Sequence, residues 1–238
     1  MGFSDIFISM RNFGSIACRG FAIATAVLIS TAVRAADSKV EELLSNMRNS
    51  YRLTKSATYT TESHFGSNTF VSTFSFVGPS KIRVDTISPN SKSMKTALIE
   101  ITDGKTMNIK PPNTIDFVEN PFTVDRFAQS LPVDLESLSF FDWDRQLSTA
   151  EGKNMSKSTF KIELNVEWNA KKWTVLEETA AAQKVVCRYF IDPHTFFIWR
   201  TLVTAMPGGS ANDNNDCRIT KLNLSPKIDE SIFTIVHV

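Results

Sequence analysis

Apolar and polar residues alternate with a period of two over long stretches of this chain. The clearest alternation is in residues 160–168, FKIELNVEW. A period of two is typical of antiparallel strands that bury one face. The pattern predicts about six strands within residues 55–117 and five more within residues 160–224.

The stretch from Phe70 to Pro112 shows how these strands are separated. Phe70, Phe74 and Phe76 share one face of a strand, and Asp103-Gly104 stands further on between two alternating runs. Asp-Gly is a favoured pair for a two-residue type I′ turn, because both turn residues need a positive φ angle. We therefore expect a tight hairpin at Asp103-Gly104.

Two segments depart from the alternation. Residues 38–51 place apolar side chains at helical spacing behind Ser38, a candidate N-cap, and predict an amphipathic helix. Residues 119–150 open on Asn120-Pro121, a helix-start signal, and are rich in aromatic residues. The later strands carry apolar side chains on both faces, and an antiparallel sheet of this kind needs cover on both. We expect the first helix to cover one face and a helical lid, 119–150, to cover the other.

The N-terminal residues have the pattern of an export signal. Arg11 and Arg19 precede the apolar run Phe21–Val33, and small residues follow it. This pattern predicts a secretory signal peptide over residues 1–35 and a mature domain over 36–238, with translation starting at Met1 or Met10. The mature part would carry 23 basic and 24 acidic side chains, and so balanced a charge argues against a nucleic-acid partner.

Signatures of catalysis or metal binding are sparse. The chain has no nucleophile elbow, phosphate-binding loop or paired-cysteine zinc spacing. Cys187 and Cys217 are expected on strands separated by a third, too far apart for a disulfide, and so as free thiols. An enzyme would require His64 or His194 within hydrogen-bond reach of a carboxylate or hydroxyl. We expect no enzyme, no cofactor and no metal.

Phenylalanine is the positive signal, with eighteen residues beside three tyrosines. Its side chain adds apolar area without a hydroxyl to satisfy, which suits a thick core or a pocket for alkyl chains. Both interpretations stand for each residue. The candidate lining of an acyl pocket comprises Phe70, Phe74, Phe76, Trp168 and Trp199 of the strands and Phe127, Phe141 and Trp143 of the lid.

The order of short motifs resembles a known superfamily. A strand with Gly78-Pro79-Ser80-Lys81 is followed by Asp103-Gly104-Lys105, a helical crossover, Asp192-Pro193-His194 and a closing Leu224-Ser225-Pro226-Lys227. This order is similar to that of the periplasmic outer-membrane lipoprotein carriers, the LolA-like superfamily. The resemblance implies an α+β fold, an open antiparallel β half-barrel of about eleven strands with an N-terminal helix and a helical lid insertion. The carriers have a lid-latching arginine where this chain has Gly78, so the latch is not implied.

The resemblance also implies a function. We expect a periplasmic, monomeric, carrier-like protein that holds a lipid or an acylated protein in an apolar cavity under the lid and contacts the membrane only transiently. The alternative is an envelope-sensing domain that uses the same fold to bind a protein partner without transport.

Overall fold

The structure, a computed structural model, describes residues 35–78, 81–90, 98–114, 118–121, 159–181, 184–210 and 214–234. These residues form a helix, eleven strands and a short 3-10 helix, Glu230–Phe233. The remaining bounds are α1 (Ala35–Leu53), β1 (Ser56–Phe65), β2 (Asn68–Val77), β3 (Lys81–Ile87), β4 (Leu98–Thr102), β5 (Thr106–Lys110), β6 (Val118–Pro121), β7 (Thr159–Trp168), β8 (Lys171–Ala180), β9 (Val185–Ile191), β10 (Ile198–Ala205) and β11 (Asn215–Leu224).

All eleven strands belong to one antiparallel sheet, in the order β6-β5-β4-β3-β2-β1-β11-β10-β9-β8-β7. Every neighbouring pair except β1 and β11 is also adjacent along the chain. The first and last strands therefore meet in the middle, and β6 and β7 form the two edges of an open sheet. The predicted number of strands and their antiparallel arrangement are confirmed.

The helix α1 covers one face of the sheet, which we call the helix face. Its buried side chains join the main core cluster and follow the predicted helical spacing: Val40, Leu43, Leu44, Met47 and Tyr51. The described helix begins at Ala35, so Ser38 lies within it and the N-cap prediction was wrong. Within the described part of the chain, no helix combines the length and hydropathy required to cross a bilayer.

Side chains alternate between the helix face and the opposite, outer face. In β2, Phe70, Phe74 and Phe76 are buried and share the helix face, as the spacing predicts. In β9, Tyr189 and Ile191 join the main cluster under α1, whereas Phe190 between them belongs to a separate cluster. The sheet is therefore apolar on both faces in its second half.

The hairpin between β4 and β5 differs from the predicted turn. β4 ends at Thr102 and β5 begins at Thr106, so the loop has three residues, and only Gly104 among them has a positive φ, +90°. The Asp103 carboxylate accepts backbone N–H bonds from Lys105 (2.8 Å) and Thr106 (2.9 Å). These bonds fold the loop through the aspartate side chain, and the type I′ prediction was wrong.

Asn120-Pro121 does not begin a helix. Both residues lie in β6, where Asn120 pairs with Met107 and Pro121 with Thr106 of β5. Proline lacks an N–H, but an edge strand such as β6 tolerates it because one side of the strand needs no partner. The rest of the predicted lid, residues 122–150, lies outside the described residues.

The two described cysteines confirm the thiol prediction. Cys187 lies on β9 and Cys217 on β11, with β10 between them. Both are buried, and each is a thiol rather than half of a disulfide.

The end of α1 is fixed to β10 through Tyr51. Its hydroxyl accepts the buried backbone N–H of Ile198 at 3.1 Å, and its ring meets Phe197 edge to face with centroids 4.7 Å apart. Phenylalanine at position 51 would keep the ring contact and leave that N–H without its acceptor.

We expect Tyr51→Phe to lower the free energy of unfolding by about 1–2 kcal/mol, because a buried N–H loses its partner. Urea unfolding followed by circular dichroism measures the change. An unchanged midpoint would show that this hydrogen bond does not hold α1 on the sheet.

Candidate functional site

A row of small hydroxyl side chains crosses the helix face beyond the main core cluster. Thr61 and Ser63 of β1, Ser72 of β2 and Thr86 of β3 make up this hydroxyl band. Thr61 pairs with Ser72, which pairs in turn with Thr86, so the band follows the strand register. All four residues are at most 2 % exposed.

Half of the hydroxyl band has no hydrogen-bond partner among the described residues. Ser72 and Thr86 bond to each other at 2.7 Å. Thr61 Oγ1 and Ser63 Oγ are buried and have no hydrogen-bond partner in the described structure. A buried hydroxyl without a partner costs about 1–3 kcal/mol, so two such groups in one band require a physical explanation.

An apolar cluster adjoins the band on the side away from the main core. Phe70 and Leu98 are its buried members, with Phe65 and Ile109 packed against them. Phe70 pairs with Ser63 of the band, and its ring centroid lies 6.0 Å from that of Phe65. The helix face therefore presents hydroxyl groups next to an aromatic and aliphatic patch, which we call the Phe70 cluster.

Phe74 and Phe76, also predicted to line a pocket, lie in the main core cluster with α1. Phe74 stacks on Tyr59 with centroids 4.5 Å apart. A Cβ atom at Gly78 would come within 3.0 Å of the Phe76 ring, so an arginine at this position would disturb the ring. These two phenylalanines are core residues, and the exposed Gly78 lies against the ring of Phe76.

Trp168 and Trp199 belong to a different cluster, which includes outer-face residues Trp173, Val175 and Phe190. The β9–β10 register shifts between Ile198 and Arg200, which makes Trp199 the extra residue of a bulge, and it also touches the main cluster. Its indole Nε1 is buried without a hydrogen-bond partner in the described structure. The structure thus does not bring these tryptophans together with Phe70.

Arginine side chains cover the tryptophan-containing cluster. Arg200 binds Asp216 through two 2.8 Å hydrogen bonds, and its guanidinium lies 5.2 Å from the ring centroids of both Trp168 and Phe190. Its charge is neutralised by the carboxylate while its plane contacts aromatic rings. On the outer face of the second half of the sheet, charged side chains therefore cover the apolar ones.

The remaining predicted pocket residues, Phe127, Phe141 and Trp143, lie outside the described residues. The hydroxyl band was not predicted, although its signal is present in the sequence. Thr61 and Ser63 continue the alternation that begins with Ala57 and Tyr59 and so occupy inward positions. Polar residues at inward positions of a strand indicate a site more directly than the abundance of phenylalanine.

His64 meets the distance condition that an enzyme would require. Its Nε2 lies 2.7 Å from Glu62 Oε1, and its Nδ1 lies 3.2 Å from Thr69 Oγ1. Glu62 Oε1 also accepts a 2.5 Å hydrogen bond from Arg218. These side chains form a half-exposed chain of hydrogen bonds across β11, β1 and β2. The chain links the three strands, which is a structural role. His194 is exposed in a turn closed by the Asp192 carboxylate.

Comparison with known proteins gives similarity in structure only. No family model matches the chain, and no curated protein matches its sequence. An uncharacterised conserved protein from Thermus thermophilus superposes with a TM-score of 0.54 at 10 % identity, over 82 % of this chain and 92 % of that one.

Two further solved structures are more distant. MucB in the MucA/MucB complex of Pseudomonas aeruginosa has a TM-score of 0.48 at 14 % identity, over 82 % of this chain and 60 % of that one. A LolA superfamily protein from Nitrosomonas europaea has a TM-score of 0.34 at 11 % identity, over 86 % and 99 %. At 10 % identity, the likeness to the Thermus thermophilus protein concerns the fold alone.

The Glu62–Arg218 contact makes stability depend on pH in the acid range. The hydrogen bond from Arg218 holds the pKa of the Glu62 carboxyl below its ordinary value of 4.5. A carboxyl with a lowered pKa in the folded state stabilises the protein above about pH 4.5, and the contribution disappears as the pH falls through the folded-state pKa.

We therefore expect Glu62→Gln to be less stable than the wild type at pH 6, by less than about 1 kcal/mol for so exposed a pair, and the difference to shrink at pH 3. Urea unfolding at the two pH values measures it. Glu167→Gln, at an exposed glutamate of β7, is the matched control. A difference that stays constant with pH would contradict the assignment.

Proposed function

We propose that the protein is an exported, carrier-like protein that binds the acyl chain and carbonyl group of a lipid or acylated protein at the hydroxyl band and the Phe70 cluster. The observation that carries this proposal is a pair of buried hydroxyls beside an apolar cluster, Thr61 Oγ1 and Ser63 Oγ, which have no hydrogen-bond partner in the described part of the chain. A purely structural core would have no use for hydroxyls that lack partners.

The chemistry of the two regions matches the two parts of an acylated molecule. An alkyl chain on the Phe70 cluster would gain about 0.8 kcal/mol for each buried CH₂. An ester or amide carbonyl accepts hydrogen bonds at its oxygen, and the hydroxyls of Thr61 and Ser63 can donate to it. The alkyl chain would supply the affinity, and the hydroxyls would fix the position of the ligand on the sheet.

Location in the periplasm follows from the same proposal. The segment 1–35 would direct export, and the mature protein would meet acyl-bearing molecules in the envelope.

An envelope-sensing function without transport is the second candidate. It is favoured by the open edge strand β7, where Leu164 is 65 % exposed and offers a hydrophobic side chain to a protein partner.

The first test is to identify what the protein carries. Mature protein purified from its native envelope should contain acyl lipid or acylated protein, detected by mass spectrometry after organic extraction and proteolysis. A stoichiometric unacylated protein without any acyl group would support the sensing function. Protein that holds neither, and takes up no fluorescent fatty acid, would refute acyl binding.

The second test distinguishes a role of the hydroxyls in binding from a role in the stability of the core. Thr61→Val keeps the shape and removes the unpartnered hydroxyl, so we expect it to raise the free energy of unfolding by up to about 1 kcal/mol. It should also weaken binding of a fluorescent fatty acid by about three- to tenfold, the value of one neutral hydrogen bond.

Thr58→Val is the matched control, because Thr58 lies on the same strand and faces the opposite side of the sheet. Fluorescence titration measures binding, and urea unfolding measures stability. Unchanged binding by the Thr61 variant would remove the hydroxyl band from the site.

A further inference from the structure

The two edge strands of the sheet differ in length and composition. β6 has four residues and ends on Pro121, which lacks the N–H that a further strand would bond. β7 has ten residues, none of them proline and none of them buried. Among the described strands β7 pairs with β8 alone, so its other side presents a row of backbone N–H and C=O groups to a further strand.

The regular part of the β7 edge is short and has a different chemistry on each face. Phe160 and Ile162 pack against the main core cluster on the helix face. Lys161 and Glu163 alternate with them and lie on the outer face. The register with β8 shifts after Glu163, and Leu164, the first residue of this bulge, is 65 % exposed. A strand added here would meet apolar side chains on one face and charged ones on the other.

The two charged residues of this edge carry opposite signs. Lys161 Nζ lies 2.7 Å from Glu163 Oε1 of the same chain, and Arg188 binds the other carboxylate oxygen at 2.7 Å. The Lys161 side chain is 66 % exposed, and its ammonium has three N–H donors. Donors therefore remain for a carboxylate that a neighbouring strand brings alongside.

A second copy of β7 matches this segment in an antiparallel register centred on Ile162. In a two-fold symmetric pair, residue i faces residue j of the second copy and j faces i. With Ile162 on the axis, Lys161 faces Glu163 of the second copy, and this ion pair occurs twice. Phe160 then faces Leu164 of the second copy. Opposite charges directly across two strands stabilise the pair, and so do apolar side chains.

The neighbouring symmetric registers fit less well. With Lys161 or Glu163 on the axis, that residue would face its own like charge, which destabilises a strand pair. With Leu164 on the axis, the pairing would run through the bulge, where the regular ladder is interrupted. Charge and alternation therefore both favour the register centred on Ile162.

We propose that the protein forms a two-fold symmetric dimer in which β7 pairs antiparallel with β7 of a second copy, through residues 160–164. Ile162 lies on the axis, between two Lys161–Glu163 ion pairs. The inference goes beyond the proposed function, since it does not depend on acyl binding, and it departs from the monomer that the resemblance implies. So short a contact predicts a weak, concentration-dependent dimer.

Sedimentation velocity of the mature protein, at micromolar to millimolar concentrations, tests the proposal. We expect the wild type to pass from monomer to dimer as its concentration rises. Lys161→Glu sets carboxylates opposite one another across the axis, and Glu163→Lys sets ammonium groups opposite one another. Each variant alone should dimerise about tenfold more weakly than the wild type or not at all. An equal mixture of the two should dimerise again, because the carboxylates of one variant face the ammonium groups of the other.

The mixture distinguishes contact between chains from effects within one chain, since the Lys161–Glu163 pair of each variant chain stays broken. Lys221→Glu, at an exposed lysine of the central strand β11, is the matched control and should dimerise like the wild type. Circular dichroism checks that every variant is folded, and the wild type alone decides whether a dimer forms.

Three results would overturn the proposal. They are a wild type that is monomeric at every concentration, dimerisation that neither charge reversal weakens, and a mixture that dimerises no better than its components. A monomeric wild type that binds a different envelope protein through β7 would assign this edge to that partner and would equally overturn it.

Discussion

The pairing of β1 with β11 is the constraint on which the rest of the structure depends. Every other strand pair joins neighbours along the chain, but this one joins residues 56–65 to residues 215–224. Closing a loop of such length costs entropy that grows only slowly with length, and the long register of paired residues offsets it. Among the described strands, this is the one pair that joins the two halves of the sheet.

Side-chain contacts reinforce that pairing. Arg218 reaches Glu62 across the two strands, and Thr220 donates to the carbonyl of Thr60 at 3.3 Å. Beyond the strand end, the N–H of Ser225 bonds the carbonyl of Ser56 at 2.9 Å. These contacts direct the C-terminal segment back over β3, where the 3-10 helix forms one wall of a cavity on the outer face of the sheet, about 550 Å³ in volume.

The alternation of side chains gives the same strands two different chemistries. In β5, Met107 joins the core on the helix face, and Asn108 next to it lines the cavity on the outer face. Thr102 and Ile101 of β4 divide in the same way. The two faces of strands β3 to β5 therefore differ in character because consecutive residues point to opposite faces. The pattern that predicted the strands also accounts for this separation.

Features that depend on local interactions could be predicted from the sequence, and features that depend on contacts between distant segments could not. The alternation and turn residues were sufficient for the number of strands and the buried side of α1, but not for β6, whose Asn120-Pro121 was interpreted as a helix start. Trp199 could not be assigned to a face, since its bulge depends on the register with β9. The cavity on the outer face could not be predicted, because Asn108 of β5 and Phe233 of the 3-10 helix line it together only through the β1–β11 pairing. The inward positions of Thr61 and Ser63 could have been predicted, since they follow by alternation from that of Tyr59. Their buried hydroxyls have no hydrogen-bond partner among the described residues, and this cost to stability is the strongest reason to propose a function for the hydroxyl band.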